Sequence, residues 1–168
     1  MTTLILTVAG SDRPGLVAAV ADVVDAHGGN WENSQLAELA GVFAGVIQVS
    51  VTPERQDELT SALHALDGLL TVAVHTGSDA AATAAQPISL QILGNDRPGI
   101  VREVSAVLKA HGVSIERIDT ETKDAAMAGG RLFEASVTAE VPASADLDAL
   151  RADLERLTSE LQVDITLA

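Results

Sequence analysis

Two stretches of this chain hold the side chains best suited to chemistry, and they are nearly the same stretch. Residues 9–17 read AGSDRPGLV and residues 93–101 read LGNDRPGIV. Each puts Asp, Arg, Pro and Gly in succession: Asp12-Arg13-Pro14-Gly15 and Asp96-Arg97-Pro98-Gly99. An Asp just before a helical pattern suits the N-cap, where its carboxylate accepts backbone N–H groups of the first turn. Pro fits that first turn, because its missing N–H costs nothing there. Gly has no side chain, so another group can approach the backbone. One reading is a tight strand-to-helix turn, capped by Asp12 and Asp96. A second, compatible with it, is a small anion site, since free N–H groups at a helix start attract a carboxylate or phosphate. Gly10 and Gly94, at the strand ends, would add room for such a guest.

The rest of the chain restricts that chemistry. Cysteine is absent, which excludes thiol catalysis, cysteine metal sites and disulfides. The histidines, His27, His64, His75 and His111, form no close cluster with carboxylates, so no metal site is expected. Asp22, Asp25, Asp57 and Glu58 read as solvated helix faces. The net charge is −14 and aromatics make up 2 % of residues. Such a surface repels phosphate backbones and anionic lipids and lacks a stacking platform for single strands. Direct binding to nucleic acid or membrane is therefore not expected. The opening MTTLILTVAG lacks the basic region of a signal peptide, and no run approaches a membrane span. A cytoplasmic location is expected.

The two Asp-Arg-Pro-Gly stretches are positioned by a unit that occurs twice. A step of 84 carries Asp12 to Asp96, and Leu4, Leu6 and Val8 to Ile88, Leu90 and Ile92. It also carries His27-Gly28 to His111-Gly112 and Glu32 to Glu116. Further on, Ser50-Val51-Thr52 matches Ser136-Val137-Thr138 at a step of 86. Between the copies, the small, Ala-rich TGSDAAATAAQP reads as a linker. The expected domains are 1–76 and 88–168, with a linker at 77–87.

Each copy reads in the same order. Leu4, Leu6 and Val8, or Ile88, Leu90 and Ile92, alternate as in a strand with one buried face. Leu16, Val17, Val20, Val23 and Val24, or Ile100, Val101, Val104, Val107 and Leu108, follow at helical spacing. His-Gly closes the helix, with Gly at the left-handed position and His at the negative end. A weakly patterned, polar stretch starts at Asn30 or Ser114. Ile47, Val49 and Val51, or Phe133, Ala135 and Val137, then alternate. A second helix rests on Leu59, Leu63 and Leu66, or on Leu147, Leu150, Leu154, Leu157 and Leu161. A last strand holds Val72 and Val74, or Val163, Ile165 and Leu167. This β-α-β-β-α-β order is the ferredoxin-like split. The expected class is α+β: two tandem units, each an antiparallel four-stranded sheet with both helices on one face. The bare face is expected to turn Gln48 and Ser50, or Glu134, Ser136 and Thr138, toward water. Gly129-Gly130 reads as a hairpin turn.

These residues resemble a known family. GSDRPGLV with HGGNWENSQLAEL, and GNDRPGIV with HGVSIERIDTE, resemble the ACT domain, an amino-acid-sensing module of metabolic regulation. The resemblance covers nearly the whole chain, twice. The stretch NWENSQLAELAGVFAGVIQVSV is similar to tandem-ACT proteins of the glycine cleavage system repressor type. The resemblance implies an amino acid held by the loop after the first strand and the start of the second strand, between two paired units. The matching positions are Gly10, Ser11, Asp12, Arg13, Pro14, Gly15, Leu16 and Asn30, and Gly94, Asn95, Asp96, Arg97, Pro98, Gly99, Ile100 and Ser114. Asn30 can donate to a ligand carboxylate and accept from its ammonium, whereas Ser114 offers a shorter hydroxyl. Gly10 and Gly94 stand where serine-sensing members often have His, and Asp12 and Asp96 where they often have Asn.

Three functions stay open on these residues. The first is a non-catalytic regulator without cofactor that senses a small metabolite, an amino acid such as glycine or serine. It would act through a protein partner such as a transcription regulator, in control of glycine cleavage gene expression, as a homo-oligomer. The second is a ligand-free interaction module. The third is an acylphosphatase-like enzyme on the same fold, with Arg13 or Arg97 in a phosphate cradle. Each Arg precedes a Pro, which restricts its backbone, and neither a glycine-rich cradle nor a nucleophile–base pair accompanies it. Catalysis is therefore not expected. The polar second strands are expected at sheet edges, where Trp31, Asn33, Ser34 and Gln35 would pair with another unit. Side-by-side docking of copies, from one chain or two, would follow.

Overall fold

The computed structural model describes residues 1–78, 84–127 and 129–168. The chain divides into two units, 1–80 and 81–168, each with its own apolar core. Unit 1 runs β1 (Thr2–Ser11), α1 (Leu16–Ala26), β2 (Asn30–Leu39), β3 (Val42–Val51), α2 (Gln56–His64) and β4 (Thr71–Thr76). Unit 2 repeats this as β5 (Ala85–Asn95), α3 (Ile100–Ala110), β6 (Ser114–Asp124), β7 (Arg131–Pro142), α4 (Leu147–Leu161) and β8 (Val163–Leu167). The sheets are fully antiparallel, in the orders β2-β3-β1-β4 and β6-β7-β5-β8. The α+β order expected from the alternation is therefore present twice. The expected linker at 77–87 falls partly on residues 79–83, outside the described residues. At its far end Ala85, Gln86 and Pro87 already belong to β5, opposite Pro142, Val141 and Glu140.

The cores follow from the two periods. Leu4, Leu6 and Val8 are buried on β1, and Ile88, Leu90 and Ile92 on β5, at every second residue. Onto them pack Leu16, Val20 and Val24 of α1, and Ile100, Val104 and Leu108 of α3, at every fourth. Leu59 and Leu63 of α2, and Leu150, Leu154, Leu157 and Leu161 of α4, complete the two cores.

The third strands stand in a different register from the expected one. Leu6 lies opposite Ile47, and Leu90 opposite Val137. Ile47 to Val137 is a step of 90, not 86. The extra residues sit in the second hairpin. Ala40-Gly41 alone joins β2 to β3, at φ 50° and 85°. Residues 125–130 join β6 to β7, closed by the Ala125 N–H on the Gly130 carbonyl at 2.9 Å. Gly129 and Gly130 both have positive φ, as a turn there requires. Since 86 and 90 differ by an even number, alternation still placed Phe133, Ala135 and Val137 inward, where they are buried. Ser50, expected in water, is instead only 6 % exposed. It is a small side chain in an interior strand, with Thr3 on one flank and Asn30 on the other.

The edge strands β2 and β6 carry a bulge at the same place. Trp31 faces Val49 and Asn33 faces Gln48, leaving Glu32 without a rung. Ile115 faces Ala139 and Arg117 faces Thr138, leaving Glu116 without one. Trp31 and Ile115 thereby pack against their cores.

Helix starts differ within the molecule. Asp146 caps α4, its Oδ1 accepting the N–H groups of Asp148 and Ala149, both at 3.0 Å. Asp12 and Asp96 do not cap, contrary to expectation. The cap positions of α1 and α3 are Gly15 at φ 92° and Gly99 at φ 98°, with no side-chain hydrogen bond. Each Asp still belongs to the sheet: the Asp12 N–H donates to the Gly41 carbonyl at 2.9 Å, and the Asp96 N–H to the Arg131 carbonyl at 2.8 Å. The Arg-Pro dipeptide then separates Asp from the helix, so Pro14 and Pro98 precede the first turn rather than lie in it. Asp146→Ala is expected to lower stability by about 1 kcal/mol, and Asp12→Ala to leave it within about 0.5 kcal/mol. Paired urea melts check both.

Candidate functional site

Each Asp-Arg-Pro-Gly stretch lies just past the end of its first strand. In unit 1, Ser11, Asp12, Arg13, Pro14 and Gly15 are exposed, Gly10 is half-buried and Leu16 is in the core. In unit 2, Asn95, Asp96, Arg97 and Pro98 are exposed, Gly94 and Gly99 are half-buried and Ile100 is in the core. Leu16 and Ile100 thus have only backbone to offer a guest.

That backbone is the chemically useful part. The first N–H groups of a helix have no intrahelical acceptor, and no side chain caps α1 or α3. The first intrahelical bonds, Ala19 N–H to the Gly15 carbonyl and Glu103 N–H to the Gly99 carbonyl, are both 2.9 Å. Ahead of them the uncapped N–H groups and the positive helix end favour an anion.

The room expected at Gly10 and Gly94 is filled by the protein itself. A Cβ on Gly10 would stand 3.0 Å from the Leu69 carbonyl oxygen, and one on Gly94 2.9 Å from Val163 Cα. These glycines let the chain of the fourth strand close in. Arg13 is also engaged: its Nη2 donates to the Gly68 carbonyl at 3.2 Å. The Asp67–Leu70 connection, absent from the expected site, lines an open groove of ≈ 510 Å³ with Gly10, Ser11 and Arg13. Its sequence signal was the Asp67-Gly68 turn pair just before the fourth strand. In unit 2, Asn95 and Asp96 share a groove of ≈ 670 Å³ with hairpin residues such as Gly130 and Arg131.

Asn30 is not brought to the loop of its own unit. It lies opposite Ser50, which lies opposite Thr3 near the start of β1, whereas Gly10 lies opposite Phe43 at the far end. At about 3.4 Å per residue the separation is about 24 Å. Ser114 repeats the arrangement through Glu140 and Pro87, with Gly94 opposite Phe133. A single unit therefore separates the two halves of the expected site. Both starts do lie on outer strands, β2 and β6.

The bare sheet faces differ in charge. Unit 2 carries ion pairs there: Arg117 to Asp119 at 2.6 Å, and Lys123 to Glu134 at 2.7 Å and to Glu121 at 3.2 Å. The Arg117 hydrogen bond holds the Asp119 carboxyl below its ordinary range, and those to Glu134 and Glu121 raise the Lys123 ammonium. Unit 1 shows Ile5, Val42, Ala44 and Val46 on the corresponding face. Two of the histidines are engaged within the helices and their neighbours. His27 Nδ1 donates to the Val23 carbonyl at 2.8 Å, and His111 Nε2 to Asp153 Oδ2 at 2.7 Å. Among the described residues, no three His, Asp or Glu side chains converge as a metal site requires, and no helix is long and apolar enough to cross a membrane.

Two sequence models of the ACT domain match the chain, at residues 2–76 and 83–164. The chain belongs to the ACT-domain family. Its tandem ACT units are similar to the glycine cleavage system transcriptional repressor of Escherichia coli (strain K12), at 28 % identity over 162 residues. That match spans 94 % of this chain and 85 % of the repressor. Among solved structures, an unknown protein from Galdieria sulphuraria superposes with TM-score 0.89 at 30 % identity, over 99 % of this chain and 96 % of that one. A protein assigned as a glycine cleavage system transcriptional repressor superposes with TM-score 0.70 at 19 % identity, over 99 % and 96 %, and so shares the fold. This chain is a regulatory ACT-domain protein related to the Escherichia coli repressor.

Proposed function

We propose that this ACT protein is a non-catalytic sensor that holds a small amino acid, glycine or serine, between two ACT units and signals through a protein partner. The observation that supports this is the pair of uncapped helix starts. Glycine rather than Asp occupies the cap, so the N–H groups behind Gly15 and Gly99 can take a ligand carboxylate. Asp12 and Asp96, not spent on capping, are then available for its ammonium. Asn30 or Ser114 can enter such a site only from a second unit, because in its own unit it lies at the other end of the sheet. Antiparallel pairing of two outer strands would set the start of one beside the end of the other and join the two halves. Trp31, Asn33, Ser34 and Gln35 would lie along that seam, within a chain or between two.

The repressor relative carries transcriptional control in its name, and this protein would serve control of the same kind in the cytoplasm. With a net charge of −14, it would reach DNA only through a partner that binds it. The purified chain is expected not to retard duplex DNA at physiological salt, and a tight complex in a gel shift would overturn that route. Arg13, held on the Gly68 carbonyl, supports the non-catalytic reading, since a phosphate cradle needs it free.

Isothermal titration against the common amino acids tests the sensor. Saturable binding of glycine or serine is expected. Asn30→Ala is expected to weaken it by about 1–3 kcal/mol, the cost of leaving a ligand polar group unpaired. That loss reads out as a smaller ligand-induced melting shift, and a full shift in the variant would count against the site. Titrations silent for every amino acid would leave the ligand-free interaction module, which the exposure of both loops favours.

A further inference from the structure

The bare face of unit 1 has no part in the proposed amino-acid site. Leu39 is 77 % exposed, Val42 53 % and Val46 41 %, and Ala37 and Ala44 lie between them on the same face. No rung residue on this face, from β2 across to β4, is Lys, Arg, Asp or Glu. Glu32, displaced by the bulge, reaches it only at the rim, where its Oε2 accepts from Gln48 Nε2 at 2.8 Å. His75, on the opposite rim strand, hydrogen-bonds to Thr7 at 3.1 Å.

We propose that this face is the interface of a homodimer, in which the same face of a second copy stacks on it, sheet against sheet. Charge selects the occupant. On a chain of net charge −14, a neutral face is where a like-charged copy can approach closely without opposing carboxylates. The bare face of unit 2 would instead bring Glu121, Glu134 and Glu140 onto apolar side chains, and desolvating such groups is costly. Area agrees. Three strands of 10 residues and one of 6, side by side at about 4.8 Å spacing, cover roughly 600 Å². Two such faces give about 1,200 Å², the lower bound of a specific interface. The alanines allow the close sheet separation of stacked sheets, about 10 Å. A hollow of ≈ 120 Å³ beside Ile5, Gln35 and Val46 receives an apolar side chain from the other copy. One patch meeting itself is the arrangement a two-fold dimer needs.

The test is the mass of the full chain in solution across concentration, by sedimentation velocity. A dimer is expected. Val46→Glu should raise its dissociation constant at least about a hundredfold, through like charges placed face to face. Leu93→Glu, on the bare face of unit 2, should leave it unchanged. Because the chain has no cysteine, Val46→Cys introduces a single thiol. A short bis-maleimide should link two copies of that variant and should not link Ser136→Cys. If circular dichroism shows Val46→Glu unfolded, the thiol pair decides. A monomer throughout, a dimer indifferent to Val46→Glu, or linkage through Ser136→Cys alone would each overturn the proposal.

Discussion

Gly45→Ala is expected to cost unit 1 about 3 kcal/mol, although it adds one methyl group. A Cβ there would overlap the Gln35 carbonyl oxygen and stand 2.8 Å from Leu36 Cα. Both are backbone atoms of β2, so no rotamer change relieves the clash. The outer strand must move off β3 and loosen its ladder. Unit 2 gives the contrast. Gly45 faces Val8, and the residue facing the equivalent Ile92 is Ala135, only 2 % exposed. The same rung accepts a methyl in one unit and rejects it in the other. Denaturant melts combined with amide exchange check this, with protection expected to fall along β2 and β3. A melt like that of the parent chain would show that β2 can take a wider path.

Leu90→Ala is the second large effect, in the other core. Leu90 is fully buried on β5, between Val137 on one side and Leu167 on the other. Truncation removes the apolar transfer term and leaves a cavity that a sheet with helices packed on it cannot close, costing about 3 kcal/mol. Leu93→Ala, on the same strand but 46 % exposed, is expected to cost about 0.5 kcal/mol or less. Equal losses in urea melts would mean that the faces of β5 are inverted.

The order of elements was legible because Leu4, Leu6 and Val8, and the residues from Leu16 to Val24, obey clean periods of two and near four. The register of β7 was not, because a period of two is blind to a shift of four residues. Chance agreement of Ser50-Val51-Thr52 with Ser136-Val137-Thr138 then carried the alignment. Asp12 has the residue type of a cap, but its place is decided by a hydrogen bond to Gly41, far along the chain. Nothing local reports that bond. The apolar bare face of unit 1 was hidden for another reason. In VFAGVI both parities are apolar, so the pattern does not say which face meets the helices. The candidate site was legible as a list of residues and not as a place. Gly10 and Asn30 belong to neighbouring segments of sequence, and only the strand order sets them at opposite ends of one sheet.

The bulges at Glu32 and Glu116 date events in the history of the chain. An irregularity shared at one position by both units belongs to the single unit that was duplicated. The two units differ in the length of the hairpin that joins the second and third strands and in the charge of the bare face, and those differences arose after the duplication. The older layer concerns the outer strands that the sensor reading uses, and the younger layer concerns the faces. On this account the strand edges are the part of the surface both units inherited alike, and the faces are where the two copies have diverged.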